Sequence, residues 1–196
     1  MTPATPRPAS SVILLRRGGK HAQRALEVLM VMRNPEARFM PGVWVFPGGA
    51  VDPGEGEDED AHRTCAAREL EEEAGVRIDS ADLVPYSRWI TPEIAPTRFD
   101  TRFYIALAPA HSPPKPDGLE TVDAGWFEPA DALRRHRDGQ MKLVFPTIKH
   151  LESLIEFDNS TVALEAAKQR PVEPILPKVV GEGDEQRVVL PGEPGY

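Results

Sequence analysis

The sequence contains one cysteine, Cys65, in 196 residues. A single cysteine excludes an internal disulfide, so the fold depends on its packed core. No apolar run approaches the roughly 20 residues of a membrane-spanning helix, and the first residues lack the apolar core of a secretory signal. We therefore expect no membrane partner and a cytoplasmic location. We expect Cys65 to be buried and unreactive, because it lies beside small apolar residues.

The sequence also lacks an excess of positive charge. Its formal net charge is −8, whereas a protein that coats nucleic acid needs a basic surface. We therefore expect no nucleic-acid polymer as a partner. The five histidines have no spacing that would form a zinc site with one another or with Cys65. Nucleotide phosphates are still compatible ligands, because a bound metal ion reverses the local charge.

Acidic residues are concentrated in one predicted helix. Residues 66–74 are rich in strong helix formers, and Gly75 suits the left-handed residue that ends a helix. Glu69, Glu72 and Glu73 stand at positions i, i+3 and i+4, so their carboxylates lie on one face and repel each other. Hard divalent cations such as Mg²⁺ prefer oxygen ligands. The segment is therefore either a metal site or a solvated acidic helix.

The residues before the helix distinguish these alternatives. Phe46-Pro47-Gly48-Gly49 and Glu55 precede Arg68-Glu69-Leu70-x-Glu72-Glu73-x-Gly75-Val76. This pattern resembles the Nudix box, which reads Gly, five residues, Glu, seven residues, and then Arg-Glu-apolar-x-Glu-Glu-x-Gly-apolar. The second half matches at every fixed position, and Gly49 and Glu55 have the family spacing. The resemblance implies hydrolysis of a phosphoanhydride with Mg²⁺ or Mn²⁺.

The spacing between the two halves of the box departs from the family pattern. Twelve residues separate Glu55 from Arg68, where the family has seven. An alternative register through Gly54 and Asp60 keeps the spacing but replaces the glutamate by aspartate. We favour Glu55, because Phe-Pro-Gly-Gly normally leads into the box. We expect the extra residues at 56–60 to lengthen a surface loop.

The resemblance also assigns roles to individual residues. It implies a metal site with these ligands: the carbonyl of Gly48 and the carboxylates of Glu69, Glu72 and Glu73. It implies that Arg68 holds a box glutamate in place, which suits the fork geometry of a guanidinium. The general base has no single position in the family, and the candidates here are Glu72, Glu73 and Glu120. Glu120 is included because an acidic residue often precedes the late Trp-Phe pair, although it is also readable as an exposed loop carboxylate.

Hydrophobic patterning predicts a mixed α/β fold. Apolar or alternating runs predict strands at the following residues: 10–15, 26–33, 44–46, 83–89 and 98–107. The resemblance to the Nudix family implies a further strand at 120–127. After the glutamate helix, further helices are predicted to begin near Pro129, Phe145 and Asn159. The glutamate helix has an apolar stripe for packing on a sheet, formed by Ala66, Ala67, Leu70 and Ala74. The resemblance implies an α/β/α sandwich with a mixed sheet between helices.

Three residues are candidates for substrate binding. Arg98 and Arg102 share one face of the predicted strand at 98–107, with Asp100 between them. These arginines would bind substrate phosphates or pair with acidic neighbours, and the sequence leaves both interpretations open. Trp44, in the short strand that enters the glycine pair, is the third candidate.

The C-terminal residues differ in character from the rest of the chain. A proline-rich stretch precedes two valine-rich runs that flank a glycine-containing turn, a pattern typical of a β-hairpin. These valines need an apolar surface to pack on, either in their own domain or in a second copy. We expect a homodimer in which this arm covers or crosses the interface. The predicted organisation is a disordered lead-in at 1–9, a Nudix domain with C-terminal helices at 10–170, and the arm at 171–196.

The resemblance favours an enzyme over a binding module. The predicted substrate is a nucleoside diphosphate linked to another moiety, of the coenzyme A, NADH or ADP-ribose type. The alternative is a Nudix-like module that binds a nucleotide without cleaving it, but such modules commonly lack box glutamates. The lengthened box, the Arg-Phe-Asp-Thr-Arg-Phe strand and the helix that begins at Phe145 loosely resemble the Nudix branch that contains peroxisomal coenzyme A diphosphatases.

Overall fold

The computed structural model describes residues 3–18, 26–56, 58–181, 183 and 186–196. Strand β1 (Arg7–Arg17) lies at the centre of the sheet and pairs on both of its edges. Residues 12–15 are fully buried, because their side chains alternate between two cores on opposite faces of the sheet.

Among the described residues, eight strands form one mixed sheet. The seven besides β1 are β2 (Leu26–Arg33), β3 (Trp44–Val45), β4 (Gly48–Ala50), β5 (Val84–Ile90), β6 (Phe99–Leu107), β7 (Thr121–Phe127) and β8 (Pro174–Ile175). Their order is β3-β2-β1-β6-β5-β8, with β4 beside β1 and β7 beside β2. β1 runs parallel to β6 and antiparallel to β2 and β4.

Helices cover both faces of this sheet. Helix α1 (Glu59–Ala74) packs on one face, and α2 (Pro129–Arg137), α3 (Phe145–Leu154) and α4 (Ser160–Lys168) pack on the other. A 3₁₀ turn (Ser80–Asp82) precedes β5. The α/β/α sandwich is therefore confirmed. In the part of the chain that the structure describes, no helix is long and apolar enough to cross a membrane.

The apolar stripe of α1 packs as its spacing predicts. Ala66, Leu70 and Ala74 have no exposed surface and contact side chains of β1, β2 and β6. Full burial of one leucine side chain stabilises a fold by roughly 1.5–3 kcal/mol. Gly75 ends the helix with φ +66°, and its N–H donates to the carbonyl of Glu71. The position of the carboxylate-bearing turn is therefore fixed from within the core and by the cap.

The first strand begins earlier than its sequence indicates. Residues 7–9, which the sequence places in a disordered lead-in, pair with residues 99–101 of β6. The N–H of Arg7 also donates to the carbonyl of Arg98 at 2.9 Å. The sequence also predicts a turn at residues 16–21, between the first two strands. Arg16 and Arg17 belong instead to β1, and residues 19–21 lie outside the described residues.

The C-terminal residues form the expected hairpin and one further strand. β9 (Lys178–Val180) and β10 (Arg187–Val189) pair antiparallel in a separate two-stranded sheet. The additional strand β8 pairs in parallel with β5 at the edge of the main sheet. Val189 is 1% exposed, and the Tyr196 hydroxyl donates to the carbonyl of Leu176. The arm therefore packs on itself and on its own domain.

The extra residues in the box do more than lengthen a loop. Asp58 is the N-cap of α1, and its side chain accepts a hydrogen bond from the N–H of Ala61 at 2.8 Å. Glu59 and Asp60 form the first turn of the helix. The expectation of a loop at 56–60 is wrong for these two residues, because an aspartate N-cap and acidic residues in the first turn favour a helix start.

We expect Asp58→Ala to lower the free energy of unfolding by about 1 kcal/mol, because the substitution leaves a helix-terminal N–H without its acceptor. Asp58→Ser is the matched control, since serine also caps helices and should retain most of the stability. Urea unfolding followed by circular dichroism would measure both variants. Equal stability of the alanine and wild-type proteins would contradict the capping role.

Candidate functional site

Five carboxylates line one cavity of about 320 Å³. Three come from the last two turns of α1 (Glu69, Glu72, Glu73), and two come from the turn before β7 (Asp117, Glu120). Like charges repel, and the C-terminal end of a helix disfavours negative charge. This concentration of carboxylates therefore needs a cation to offset it.

The glycine strand β4 borders the carboxylates of α1. The N–H of Gly48 donates to Oε2 of Glu73 at 2.9 Å. A Cβ atom added to Gly49 would lie within 2.6 Å of the Glu69 carboxylate. A Cβ atom added to Gly48 would collide with the backbone of Ser10 and Ser11 on β1. Both glycines therefore permit close approaches that other residues would block. The approach of Gly49 to the Glu69 carboxylate is the one that lies at the cavity.

We expect Gly49→Ala to fold but to displace the Glu69 carboxylate, because the added methyl group meets the flexible end of that side chain. The apparent Kd for Mn²⁺, measured by calorimetry, should rise by about 10-fold or more, as for other changes that disturb ligand placement. Gly54→Ala is the matched control, since no atom lies within 4 Å of its added Cβ. An unchanged Kd in Gly49→Ala would contradict a metal role for Glu69.

Arg68 joins the two halves of the box. Its Nε donates to Oε1 of Glu55 at 3.1 Å, and its Nη2 donates to Oε2 at 3.4 Å. Its Nη1 donates to Glu69 at 2.8 Å and to Glu72 at 3.0 Å. The Arg68 side chain lowers the pKa of Glu55 by hydrogen bonding. Asp60 lies in the first turn of α1, so the contacts favour the register through Glu55.

Burial changes the proton affinity of two carboxyl groups. Desolvation raises the pKa of Glu73 to about 8, although the N–H of Gly48 partly opposes this shift. Desolvation also raises the pKa of Glu69, against hydrogen bonding from Arg68. Glu72 is exposed at the cavity, with 58% of its side-chain surface accessible. The three helix carboxylates therefore differ in burial, even though they share one helical face.

The donor set suits Mg²⁺ or Mn²⁺, because these ions prefer carboxylate and carbonyl oxygens. Among the described residues, no three acidic, histidine or cysteine side chains could hold a metal ion together as they stand. The cause is visible in the contacts: the Arg68 guanidinium occupies Glu69 and Glu72, while Glu73 faces the N–H of Gly48. In the absence of a metal ion, the Arg68 guanidinium supplies the positive charge that faces these carboxylates. Because Gly49 has no Cβ atom, the Glu69 carboxylate has space beside β4.

The structure does not bring the predicted substrate-binding residues to the cavity. Arg98 is buried, and its guanidinium donates to the backbone carbonyls of Thr91 and Ala4. Arg102 donates to Glu59 at 2.6 Å, about 15 Å of helix away from Glu69. Both arginines therefore bond to groups of the protein away from the cavity, and this geometry does not support phosphate binding by either of them.

Trp44 lies in the core on the face of the sheet opposite to α1. Its ring packs edge-to-face on Phe127 with centroids 5.0 Å apart, beside the residues that contact α2 and α3. The neighbouring Val45 points to the α1 face instead. The alternation of a strand therefore directs Trp44 away from the carboxylates, and substrate binding by Trp44 has no support in this geometry.

Glu120 reaches the cavity as predicted, whereas Asp117 was not a sequence candidate. Asp117 lies in a proline-rich loop between β6 and β7, whose sequence has no helical or strand periodicity. The available signal was the Asp117-Gly118 pair, since aspartate followed by glycine favours a turn that the aspartate side chain stabilises. Burial raises the pKa of Asp117, but hydrogen bonds from three backbone N–H groups lower it. The net effect is a lowered pKa.

Comparisons with known proteins agree with this geometry. The family model described as NUDIX domain matches residues 5–146. The Caenorhabditis elegans protein named "Putative nudix hydrolase 7" is 26% identical over 90% of this chain and 70% of its own length. The crystal structure of a NUDIX hydrolase from Alicyclobacillus acidocaldarius superposes with a TM-score of 0.73 and 28% identity, covering 85% of this chain and 99% of that one.

A third relative has a more specific name. The NAD-capped RNA hydrolase NudC of Stutzerimonas stutzeri (strain A1501) is 31% identical over 60% of this chain, which covers 35% of that protein. The family match extends from β1 to the start of α3 and includes all five cavity carboxylates. The chain therefore belongs to the Nudix family and is a Nudix hydrolase.

Proposed function

We propose that this protein hydrolyses a phosphoanhydride bond in a nucleoside diphosphate linked to another moiety. The metal ligands would be Glu69, Glu72, Glu73 and the carbonyl of Gly48, and the ion would be Mg²⁺ or Mn²⁺. The observation that carries the proposal is the convergence of five carboxylates on one cavity beside the glycine strand. An acidic cavity binds an anionic diphosphate only when cations neutralise it.

The reaction adds water across the P–O–P linkage. A divalent ion held in the cavity would supply positive charge against the diphosphate and would lower the pKa of a water molecule bound to it. We assign the general base to Glu120, because it is exposed at the cavity, whereas Glu69, Glu72 and Glu73 would hold the metal ion. The water oxygen bonds to phosphorus, its proton passes to the Glu120 carboxylate, and the bridging P–O bond breaks toward the leaving phosphate.

Only some of the substrates that Nudix hydrolases cleave are expected for this protein. NudC of Stutzerimonas stutzeri is named for NAD-capped RNA, and NAD is a nucleoside diphosphate joined to a second nucleoside. The net charge of −8 disfavours an RNA chain as the ligand here. Coenzyme A, NADH and ADP-ribose are therefore the compounds to test first.

A substrate panel tests the proposal. Coenzyme A, NADH, ADP-ribose, a dinucleoside polyphosphate and a nucleoside triphosphate would each be incubated with Mg²⁺ or Mn²⁺ in ¹⁸O-labelled water. Mass spectrometry should find two phosphate-bearing products from at least one compound, with one ¹⁸O atom on one of them. Binding of a compound in a thermal-shift assay without turnover would instead support a nucleotide-binding module.

The homodimer expected from the sequence is a separate proposal. The arm reaches its own sheet through β8, and the hairpin β9–β10 lies beyond that strand. We expect the full chain to be a dimer and a chain ending at Pro177, which keeps β8, to lose affinity for its partner. Light scattering across a dilution series would measure both. A monomeric full chain would contradict the dimer, and an equally dimeric truncation would exclude the hairpin from the interface.

A further inference from the structure

The turn before β7 is organised around the side chain of Asp117. Its Oδ1 accepts hydrogen bonds from the N–H groups of Leu119 at 3.1 Å and Thr121 at 2.8 Å, and its Oδ2 accepts one from the N–H of Glu120 at 3.1 Å. Gly118 closes the turn with φ +79°. Three successive N–H groups thus point at one carboxylate, which fixes the direction in which the Glu120 side chain leaves the backbone.

The same turn is attached to α1 and to the residue that follows β2. The Thr121 hydroxyl oxygen lies 2.7 Å from the carbonyl of Glu73 on α1 and 3.0 Å from Oδ1 of Asp117, and its single proton bonds one of them at a time. Asn34, at the end of β2, donates from its N–H to the carbonyl of Glu120 and from its amide to the carbonyl of Leu119, both at 2.8 Å. Movement of the Glu120 peptide is thereby restricted at both its N–H and its carbonyl.

Glu120 needs this restraint because its neighbours carry the same charge. It lines the cavity with Glu69, Glu72 and Glu73, and its carboxylate has no hydrogen-bond or ion-pair partner among the residues that the structure describes. On an unrestrained turn, repulsion would move an exposed glutamate away from the other carboxylates. The backbone hydrogen bonds to Asp117 oppose that movement.

We propose that Asp117 is a positioning residue for Glu120, and that its carboxylate keeps the Glu120 carboxylate at the cavity to accept the proton of the attacking water. The proposal rests on the proposed function, since it concerns the residue that we assign as the general base. Asp117 lines the cavity as well, but both of its oxygens already accept hydrogen bonds from the turn. We therefore place Asp117 behind Glu120 and not among the metal ligands.

Two substitutions remove different numbers of the hydrogen bonds that Asp117 accepts. Asp117→Ala removes all of them, whereas in Asp117→Asn an amide group replaces one acceptor oxygen and cannot accept the N–H of Glu120 while the other oxygen keeps its bonds. We expect Asp117→Ala to lower kcat by about 10- to 100-fold, the order of loss expected from a small misplacement of a reacting group. Asp117→Asn should lie between Asp117→Ala and the wild type. KM should stay unchanged in both, because the restraint acts on the reacting group and not on substrate affinity.

A double-mutant cycle with Glu120→Gln tests whether Asp117 acts through Glu120. Glu120→Gln should lower kcat by about 100-fold or more. The double variant Asp117→Ala/Glu120→Gln should then be no slower than Glu120→Gln alone, because the group being positioned is already lost. Leu119→Ala is the control within the same turn, since that side chain is 77% exposed, and it should match the wild type. Wild-type kcat in Asp117→Ala, or additive losses in the cycle, would overturn the proposal.

Amide hydrogen exchange of the metal-free protein provides a readout that needs no turnover. The amides of residues 119–121 should exchange faster in Asp117→Ala than in the wild type or Leu119→Ala, while those of α1 stay unchanged. A wild-type protein that hydrolyses nothing in the substrate panel would refute the proposed function, and faster exchange would still support the restraint of the turn. Unchanged exchange at 119–121 would refute the restraint whatever the enzyme hydrolyses.

Discussion

Glu72→Gln is expected to lower kcat with Mg²⁺ at least ~100-fold and to leave the fold intact. A catalytic metal ion contributes several kcal/mol to transition-state stabilisation, and about 1.4 kcal/mol corresponds to a tenfold change in rate. Glu72 is exposed, and its contact with Arg68 is a surface ion pair of small net stability. The substitution keeps the size of the side chain and relieves repulsion from the neighbouring carboxylates. Steady-state kinetics and circular dichroism would measure the two effects separately.

Glu71→Gln is the matched control for this variant. Glu71 precedes Glu72 on the same helix, but it pairs with Arg77 at 2.6 Å and does not line the cavity. The chemical change is identical, so loss of negative charge from the helix is common to both variants. Glu71→Gln should retain wild-type kcat. Wild-type turnover in Glu72→Gln with Mg²⁺ would show that Glu72 is not a metal ligand.

The metal-free protein is expected to lose stability as the pH rises from about 5 to about 8. Burial raises the pKa of Glu73 to about 8 in the folded state, from 4.5 for the unperturbed group. Between these values the folded state binds more protons than the unfolded state, so the free energy of unfolding falls as the pH rises. The slope reaches up to ~1.4 kcal/mol per pH unit, or roughly 2 kcal/mol between pH 6 and pH 8. Urea unfolding in a chelating buffer would measure it.

Glu73→Gln should remove most of this slope. The glutamine oxygen can still accept the N–H of Gly48, and the amide does not titrate. Glu69 would leave a smaller slope of the same sign, because burial raises its pKa as well. Saturating Mg²⁺ at pH 8 should restore stability to the wild-type protein, since the ion binds the ionised carboxylates of the folded state. A wild-type slope in Glu73→Gln would show that another group carries the titration.

The fold follows from local features of the sequence to a large extent. Residues 12–15 are apolar without interruption, which indicates a strand covered on both faces, and the structure places them in two cores. The apolar stripe that contains Leu70 and the glycine at position 75 define the second half of α1 without tertiary information, although the start of the helix was missed. Asn159 caps α4, as its position before Ser160 predicts. These signals succeed because each depends on residues within a few positions of one another.

Less of the candidate site could be predicted from the sequence, because the site depends on contacts between residues that are far apart in the sequence. Arg98 and Arg102 have the residue type for phosphate binding, but their partners come from other elements and lie away from the cavity. The turn of Asp117 lies beside α1 through a long-range contact, in which the Thr121 hydroxyl oxygen is 2.7 Å from the carbonyl of Glu73. The pairing of Arg68 with a box glutamate was expected from the resemblance to the Nudix box, which already contains that tertiary information, and the structure shows that Glu55 is one partner.

We expect strand β8 to lower the tendency of the molecule to aggregate. Its two residues cover part of β5, which without them would be the last strand of the sheet. An uncovered edge strand presents unpaired N–H and carbonyl groups to other molecules, and β5 includes Tyr86, Trp89 and Ile90. Proline at position 174 suits this task, because it leaves no free N–H on that residue of the new edge. Proteolysis between Arg170 and Pro174 would therefore produce a chain that self-associates through the exposed edge of β5.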